Sequence, residues 1–390
     1  MNTYHFLLGN TPKFSVAEII AVSRATRVTM LQSEVATMDL PSDEDAIALL
    51  EKLGGTIKIM RELAVFEKPT DDDIITIATK TLTRESLKDK IAFGVSEIGR
   101  DHLPVFDARS IKTHLKKMNY TAQFKEGPRG GVPTALLLHK ANVQEIVLIG
   151  SNTGTVIGKT VAVQNIDAWT EVDRGKPYFD AKKGMLPPKV ARMMLNWGLG
   201  SFEPTEKPVL YDPFCGSGTI LLEAIALGHT KLIGSDLDPA STRGTKENIA
   251  WYAGVKEANI IPEIKTGDVT KVTPSKKIDL IVTEPFLGKP KPNIAKVPYI
   301  FKGLEKLYKG AFKHWTTILA DKATIVIVMP TITAEQKSGK SYTYSMEKFI
   351  DSLSNMGYTT SSEPIEYSRS QAVVRRTLYK LEYNKQDNTK

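Results

Sequence analysis

The chain has 390 residues, 41% hydrophobic and 25% charged, with a formal net charge of +8 and a single cysteine, Cys215. That length exceeds one ordinary core and predicts two or three domains at about 100–200 residues each. No apolar run reaches the ~20 residues that span a bilayer, and the start, MNTYHFLLGN, lacks the basic and long apolar regions of a signal peptide. One cysteine makes no internal disulfide, and no Cys/His cluster suits zinc. A cytoplasmic protein without membrane partner or structural metal is expected. The sequence pI of about 9.1 favours a polyanionic partner, because Lys and Arg release counterions from phosphates.

The first segment reads as alternating strands and helices: a strand at Tyr4–Leu8, a helix at Val16–Ala25 capped by Ser15, and a strand around Val28–Leu40. Ser42 is placed to cap a helix at Ala46–Leu53, with Asp45 in its first turn, where a carboxylate suits the helix dipole. Gly54-Gly55 ends that helix, and Thr56–Phe66 is the next strand. The pattern restarts near Pro69 with a helix at Asp71–Leu82, a strand at Ile91–Ser96 and a helix at Asp107–Met118. That last helix sets Ile111, Leu115 and Met118 against Arg109, Lys112 and Lys116, a basic face that is either a solvated surface or an RNA contact. A strand at Tyr120–Phe124, a Gly/Pro loop at Glu126–Gly131 and apolar runs at Val132–Leu138 and Glu145–Gly150 follow.

Asp167–Pro188 is polar and punctuated by Gly and Pro, a linker candidate. After it come five strand candidates, Val209–Asp212, Lys231–Asp236, Ile260–Lys265, Ile278–Thr283 and Ala323–Met329, with helices from Thr219, Pro239, Tyr299 and Tyr344. This alternation predicts a parallel α/β sheet. Two late strands, Thr359–Ser368 and Ala372–Tyr383, are too close for a helix between them and predict an antiparallel hairpin that closes the sheet.

Four strand ends carry the chemistry. Asp212-Pro213-Phe214-Cys215-Gly216-Ser217-Gly218-Thr219 joins a strand to a helix. Gly216 and Gly218 permit a tight turn and close approach of a ligand to backbone amides at the helix start. A dinucleotide fingerprint is excluded by Leu221 in the place of its third glycine, and a P-loop by the missing lysine. Cys215 is more simply a small loop residue than a nucleophile, since no His lies near it in sequence. Gly234-Ser235-Asp236-Leu237-Asp238-Pro239 ends the second strand; Asp236 can take both hydroxyls of a ribose, and Asp238 suits the cap of the following helix. Asp268, in Thr266-Gly267-Asp268-Val269, can accept from an adenine amino group. The fourth strand ends in Thr283-Glu284-Pro285-Phe286-Leu287-Gly288. In a doubly wound sheet such strand ends converge on one crevice. The loop beyond, with Lys289, Lys291 and Lys296 among three prolines, is either a solvated surface or a phosphate grip.

Asp212–Thr219 resembles the cofactor loop of amino-group methyltransferases, and Glu284-Pro285-Phe286 stands in the place of their Asp/Asn-Pro-Pro-Tyr/Phe motif. The stretch Arg174–Arg192 resembles the segment that precedes the cofactor loop in THUMP-containing tRNA guanosine N2-methyltransferases. The resemblance implies a C-terminal Rossmann-like, seven-stranded methyltransferase domain preceded by an α+β ferredoxin-like and THUMP RNA-binding region. Its domains would be residues 1–68 (ferredoxin-like), 69–166 (THUMP-like) and 167–383 (linker and methyltransferase), with a disordered tail at 384–390. It implies S-adenosyl-L-methionine as cofactor, held by Asp212, Phe214, Gly216, Ser217, Gly218, Thr219, Asp236, Leu237, Asp268 and Val269. Glu284 and the Pro285 carbonyl would accept the N–H bonds of the target amine, with Phe286 stacked on the base. The partner would be RNA, tRNA first, and a small activator subunit is compatible.

The chain departs from the motif in two ways. Glu replaces Asp or Asn, moving the acceptor by more than about an ångström, and the second proline is missing, so the aromatic comes one position early. The implied activity is methylation of a guanosine N2 amine in tRNA. The alternatives are an rRNA guanine N2-methyltransferase, a DNA amino-methyltransferase, and an RNA-binding protein on a degenerate methyltransferase fold. One large class of DNA enzymes places the catalytic motif before the cofactor loop, the reverse of the order here. The intact Gly216, Gly218, Asp236 and Asp268 speak against a degenerate pocket.

Overall fold

The computed structural model describes residues 1–84, 90–99, 102–127, 131–140, 142–180, 185–256, 260–335, 341–368 and 372–386. Residues 128–130 of the Gly/Pro loop, 181–184 of the Arg174–Arg192 stretch and 387–390 of the predicted tail lie outside them. The chain forms two compact units, Met1–Ala168 and Trp169–Lys390.

The first unit runs β1 (Asn2–Leu8), α1 (Pro12–Ser23), β2 (Thr29–Gln32), β3 (Val35–Leu40), α2 (Asp43–Lys52), β4 (Thr56–Phe66), α3 (Asp71–Arg84), β5 (Lys90–Ile98), α4 (Arg109–Lys117), β6 (Thr121–Phe124), α5 (Thr134–His139), β7 (Val143–Ser151) and β8 (Gly154–Val163). Its strands form one sheet in the order β2-β3-β1-β4-β8-β7-β5-β6. The antiparallel pair β4–β8 therefore joins segment 1–68 to segment 69–166 through a shared sheet. Tyr4, Phe6, Ile19, Leu50 and Ile59 pack under one part of it, and Ile74, Phe93, Ile111, Leu115 and Ile146 under another.

Local sequence explains several boundaries and corrects others. Ser42 caps α2 as expected, its Oγ accepting from the Asp45 N–H at 3.2 Å. The cap expected of Ser15 is wrong: α1 begins at Pro12, since proline in the first turn loses no needed N–H and arrives with a helical φ. Ser15 is instead buried inside the helix, its Oγ donating to the Gly55 carbonyl at 2.9 Å. The single strand expected over Val28–Leu40 is a hairpin of β2 and β3. β8, which the sequence reading passed over, lies between β4 and β7.

The linker candidate carries α6 (Ile166–Arg174). The second unit continues with α7 (Pro188–Leu199), β9 (Leu210–Asp212), α8 (Thr219–Ala226), β10 (Leu232–Asp236), α9 (Pro239–Lys256), β11 (Glu263–Thr266), β12 (Ile278–Thr283), α10 (Val297–Ile318), β13 (Leu319–Glu335), β14 (Ser341–Tyr344), α11 (Glu347–Ser352), β15 (Tyr358–Thr360), β16 (Ile365–Tyr367) and β17 (Val374–Asn384). The sheet order is β11-β10-β9-β12-β13-β17-β15, with β14 on β13 and β16 on β17. β11 to β13 are mutually parallel, and β17 enters antiparallel beside β13. Phe301, Leu304, Tyr308, Phe312 and Trp315 make a buried stripe on α10, and helical spacing brings them onto one face, against the sheet. The sequence reading missed α7, although Lys189, Arg192 and Asn196 recur at helical spacing along it; the residues from Val190 to Gly198 are all buried.

Candidate active site

β9 is the first strand of its sheet and lies inside it, with β10 and β11 on one side and β12 and β13 on the other. The strand order thus reverses at β9, and in open α/β sheets the crevice at the carboxyl ends beside such a reversal is where ligands bind. The four motifs sit there on adjacent parallel strands, and hydrogen bonds tie them together.

The loop after β9 turns on two glycines with positive φ, Gly216 at 53° and Gly218 at 82°. A Cβ at Gly218 would meet Thr245 Cγ2 at 2.9 Å, whereas one at Gly216 would meet nothing nearer than the Phe214 carbonyl at 4.0 Å. Gly218 is therefore required by packing as well as conformation, while the backbone at Gly216 is open to a ligand. Residues from α9 hold the loop: Thr245 Oγ1 donates to the Gly216 carbonyl at 2.8 Å, and Asn248 Nδ2 to the Ser217 carbonyl at 2.8 Å. Asn248 also exchanges hydrogen bonds with the Tyr178 backbone, at 2.8 and 2.9 Å.

Asp236, half-buried at the end of β10, accepts from the Gly216 N–H at 2.9 Å through Oδ2 and from the Asp238 N–H at 2.9 Å through Oδ1. Each carboxylate oxygen has a second lone pair, so the side chain is fixed in place with acceptor capacity left. Asp238 caps α9, accepting from the Ala240 N–H at 2.9 Å. Leu237 between them is 72% exposed, an apolar surface beside a fixed carboxylate. The Gly267 N–H donates to the Asp236 carbonyl at 3.0 Å, which joins the ends of β10 and β11. Asp268 is exposed and accepts from the Thr270 N–H at 2.9 Å and hydroxyl at 2.8 Å. Those bonds, the backbone one first, hold its carboxyl below the ordinary carboxylate range. Val269 is buried.

Asp212 is 2% exposed and accepts from Thr283 Oγ1 at 2.7 Å and the Phe214 N–H at 3.2 Å. Burial pushes its pKa up to about 7; the two hydrogen bonds oppose that shift, and the charges of Asp236 and Glu284 add to it. Thr283 leads directly into Glu284, so this bond fixes the predicted cofactor loop relative to the predicted catalytic strand end. Pro285 is buried and Phe286 is 60% exposed. The Tyr308 hydroxyl of α10 donates to the Phe286 carbonyl at 2.7 Å, which sets the backbone where the ring turns outward. Lys289, Lys291 and Lys296 are all exposed in the loop that follows. Cys215 is buried, and burial raises its thiol pKa far above neutrality, which removes it as a nucleophile.

Sequence reasoning missed several contributors. Arg376 of β17 donates from Nε to Glu284 Oε1, an ion pair whose side chains are 28% and 15% exposed. Thr245 and Asn248 look like ordinary polar helix residues in sequence. Lys176 lies in the recognised Arg174–Arg192 stretch, yet only the fold shows it buried, with Nζ 3.4 Å from Thr219 Oγ1. Burial lowers its pKa, while Asp173 and Glu223 pull it back up.

Parallel strands that reverse order at β9, with an antiparallel strand beside β13, make this unit a Rossmann-like methyltransferase fold. Residues 178–338 match the UPF0020 family, described as RMKL-like, methyltransferase domain. A tRNA (guanine(10)-N2)-dimethyltransferase of Methanothermobacter thermautotrophicus is 30% identical over 155 residues, 40% of this chain and 41% of the relative. The aligned region thus spans about two fifths of that relative's length. The crystal structure of TrmN from Thermus thermophilus superposes with a TM-score of 0.55 at 12% identity, covering 98% of this chain and 100% of that one. A putative methyltransferase, SMU.472, solved in complex with SAH, superposes at 0.51 with 12% identity and 99% coverage of both chains. Both likenesses extend the shared fold over the first unit. Among the described residues, no helix is long and apolar enough to cross a membrane.

Proposed function

We propose that the protein is an S-adenosylmethionine-dependent RNA methyltransferase that modifies the exocyclic N2 amine of a guanosine in tRNA. The observation that carries the reading is the Asp212–Thr283 hydrogen bond. It locks a glycine loop suited to a nucleoside cofactor against the strand that ends in Glu284-Pro285-Phe286. The match to the methyltransferase domain and the name of the archaeal relative supply the reaction and the substrate class.

The residues suit the cofactor. Gly216 leaves its backbone open to a ligand, Asp236 is fixed with lone pairs to spare for ribose hydroxyls, and Leu237 offers an exposed apolar face. Asp212, Phe214, Ser217, Gly218, Thr219, Asp268 and Val269 complete the surround. When bound, S-adenosylmethionine supplies an electrophilic methyl group on a sulfonium. Glu284 and the Pro285 carbonyl accept the two N–H bonds of the target amine. Those bonds favour a pyramidal nitrogen with its lone pair free, so they strengthen toward the transition state. Phe286, exposed and backed by the Tyr308 bond, stacks on the base. The exposed Lys289, Lys291 and Lys296 are placed to meet backbone phosphate. Residues 69–166, as a THUMP-like domain, contribute RNA affinity through the exposed cations of α4, Arg109 and Lys116.

The test is nucleoside mass spectrometry of tRNA incubated with the purified protein and isotopically labelled S-adenosylmethionine. Label in N2-methylguanosine or N2,N2-dimethylguanosine is expected. Label only in another nucleoside would replace the substrate assignment, as would label in DNA, but not in tRNA, when DNA is incubated in parallel; binding of RNA without transfer would replace the enzyme by a binding protein.

A further inference from the structure

The departure of Glu284 from the Asp/Asn of the family motif has a structural counterpart. Thr283, the last residue of β12, is in register with Ile327 of β13. Arg376 of β17 is in register with Pro330, farther along the same strand. β13 lies between β12 and β17, so the backbones of Glu284 and Arg376 are separated by about two strand spacings across the sheet, roughly 10 Å, and by about two residues, roughly 7 Å, along it. Only two long side chains close that gap. Arg376 Nε reaches Glu284 Oε1, and an aspartate, shorter by one methylene, would end more than about an ångström short.

Resting on the proposed function, we infer that Arg376 is a positioning residue for methyl transfer: it holds Glu284 Oε1 and leaves Oε2 to accept from the target amine. A glutamate has one more rotatable bond than an aspartate, and freezing each such side chain costs entropy. An unrestrained Glu284 would distribute its carboxylate over several rotamers, most of them unproductive. The bond to Nε fixes the third torsion before the base arrives. The pair is mostly shielded, at 28% and 15% side-chain exposure, so water competes weakly for the charge-assisted bond. Tyr308 fixes the backbone of Phe286 on the other side. The longer carboxylate and the arginine thus work as a single unit that sets the acceptor where a shorter residue sits in the family motif.

A double-mutant cycle tests this by single-turnover methyl transfer to tRNA at saturating cofactor. Arg376→Ala is expected to slow transfer by about 10- to 100-fold, the scale of a misplaced reacting group, with cofactor affinity by calorimetry unchanged. In a Glu284→Ala background the same substitution is expected to change the rate less than about twofold, because contacting groups are non-additive. Arg376→Gln, which keeps a neutral donor, should fall between wild type and Arg376→Ala, and unchanged cofactor affinity shows each variant folded. Equal slowing in both backgrounds overturns the inference, as does a weaker apparent affinity for tRNA at an unchanged rate constant, the behaviour of a phosphate contact. Each of those results leaves the proposed function standing. A wild type that transfers no methyl group to guanosine in RNA overturns the proposed function and the inference with it.

Discussion

Asp212 and Thr283 lie 71 residues apart in sequence, yet Thr283 Oγ1 donates to Asp212 Oδ1 at 2.7 Å. That contact joins the end of β12 to the end of β9, the two strands whose loops would hold the reacting partners. It is also the contact that restrains a carboxyl which burial drives toward its neutral form.

Asp212 makes stability depend on pH. Its folded pKa, about 7, lies above the unfolded 3.8, so the folded state binds the extra proton across that window. The stability this contributes is complete below about pH 4 and is lost as pH rises to about 7. Asp212→Asn keeps an acceptor for Thr283 and removes the titration. Scanning fluorimetry of the cofactor-free proteins should find the variant gaining melting temperature relative to wild type as pH rises from 4 to 8. A difference that stays constant with pH contradicts the assignment.

Asp236 holds the glycine loop through the Gly216 N–H and is the proposed partner of the cofactor ribose. Asp236→Ala should weaken S-adenosylmethionine by roughly 5- to 150-fold, the loss of about 1–3 kcal/mol for a positioned acceptor. Asp236→Asn retains one acceptor and should lie between. Titration calorimetry checks both, and unchanged affinity in the alanine variant removes Asp236 from the cofactor site.

Glu284 and Phe286 should separate kinetically. Glu284→Ala should slow single-turnover transfer by about 10²–10³-fold at saturating cofactor, and Glu284→Gln, which keeps one acceptor without the charge, by less. Phe286→Ala should act mainly on capture of the base, at about 1–3 kcal/mol for stacking. Full activity in Glu284→Ala, on an RNA that the wild type methylates, excludes it from the mechanism.

The first unit contains a buried ion pair whose removal should be costly. Lys58 Nζ donates to both oxygens of Glu145 at 2.8 Å, with side-chain exposures of 7% and 0%. The hydroxyls of Ser96 and Thr160 donate to the same carboxylate. Glu145→Ala strands the ammonium in the interior and should cost about 3–5 kcal/mol. Lys58→Met combined with Glu145→Leu should cost less than Glu145→Ala alone. Urea denaturation measures both, and a double variant less stable than the single one contradicts the explanation.

What the sequence by itself determined was local. The turn at Gly216 and Gly218, the caps at Ser42 and Asp238, and the strands that carry Asp212, Asp236 and Glu284 all follow from residue types within a few positions of one another. Backbone conformation and capping act over that range, so their signals are written contiguously. Only the tertiary structure decided the rest. β8 interrupts its alternation with Gly158 and Lys159 and is a strand because β4 and β7 pair on either side. α7 buries even its polar residues Arg192 and Asn196, and Arg192 finds its partner Glu223 only in the fold. Arg376 stands 92 residues from Glu284, and nothing near it in sequence marks it as part of the site. The pair forms because strand order lays β17 next to β13 and β13 next to β12, and a contact made through sheet topology leaves no periodic trace in the chain that makes it.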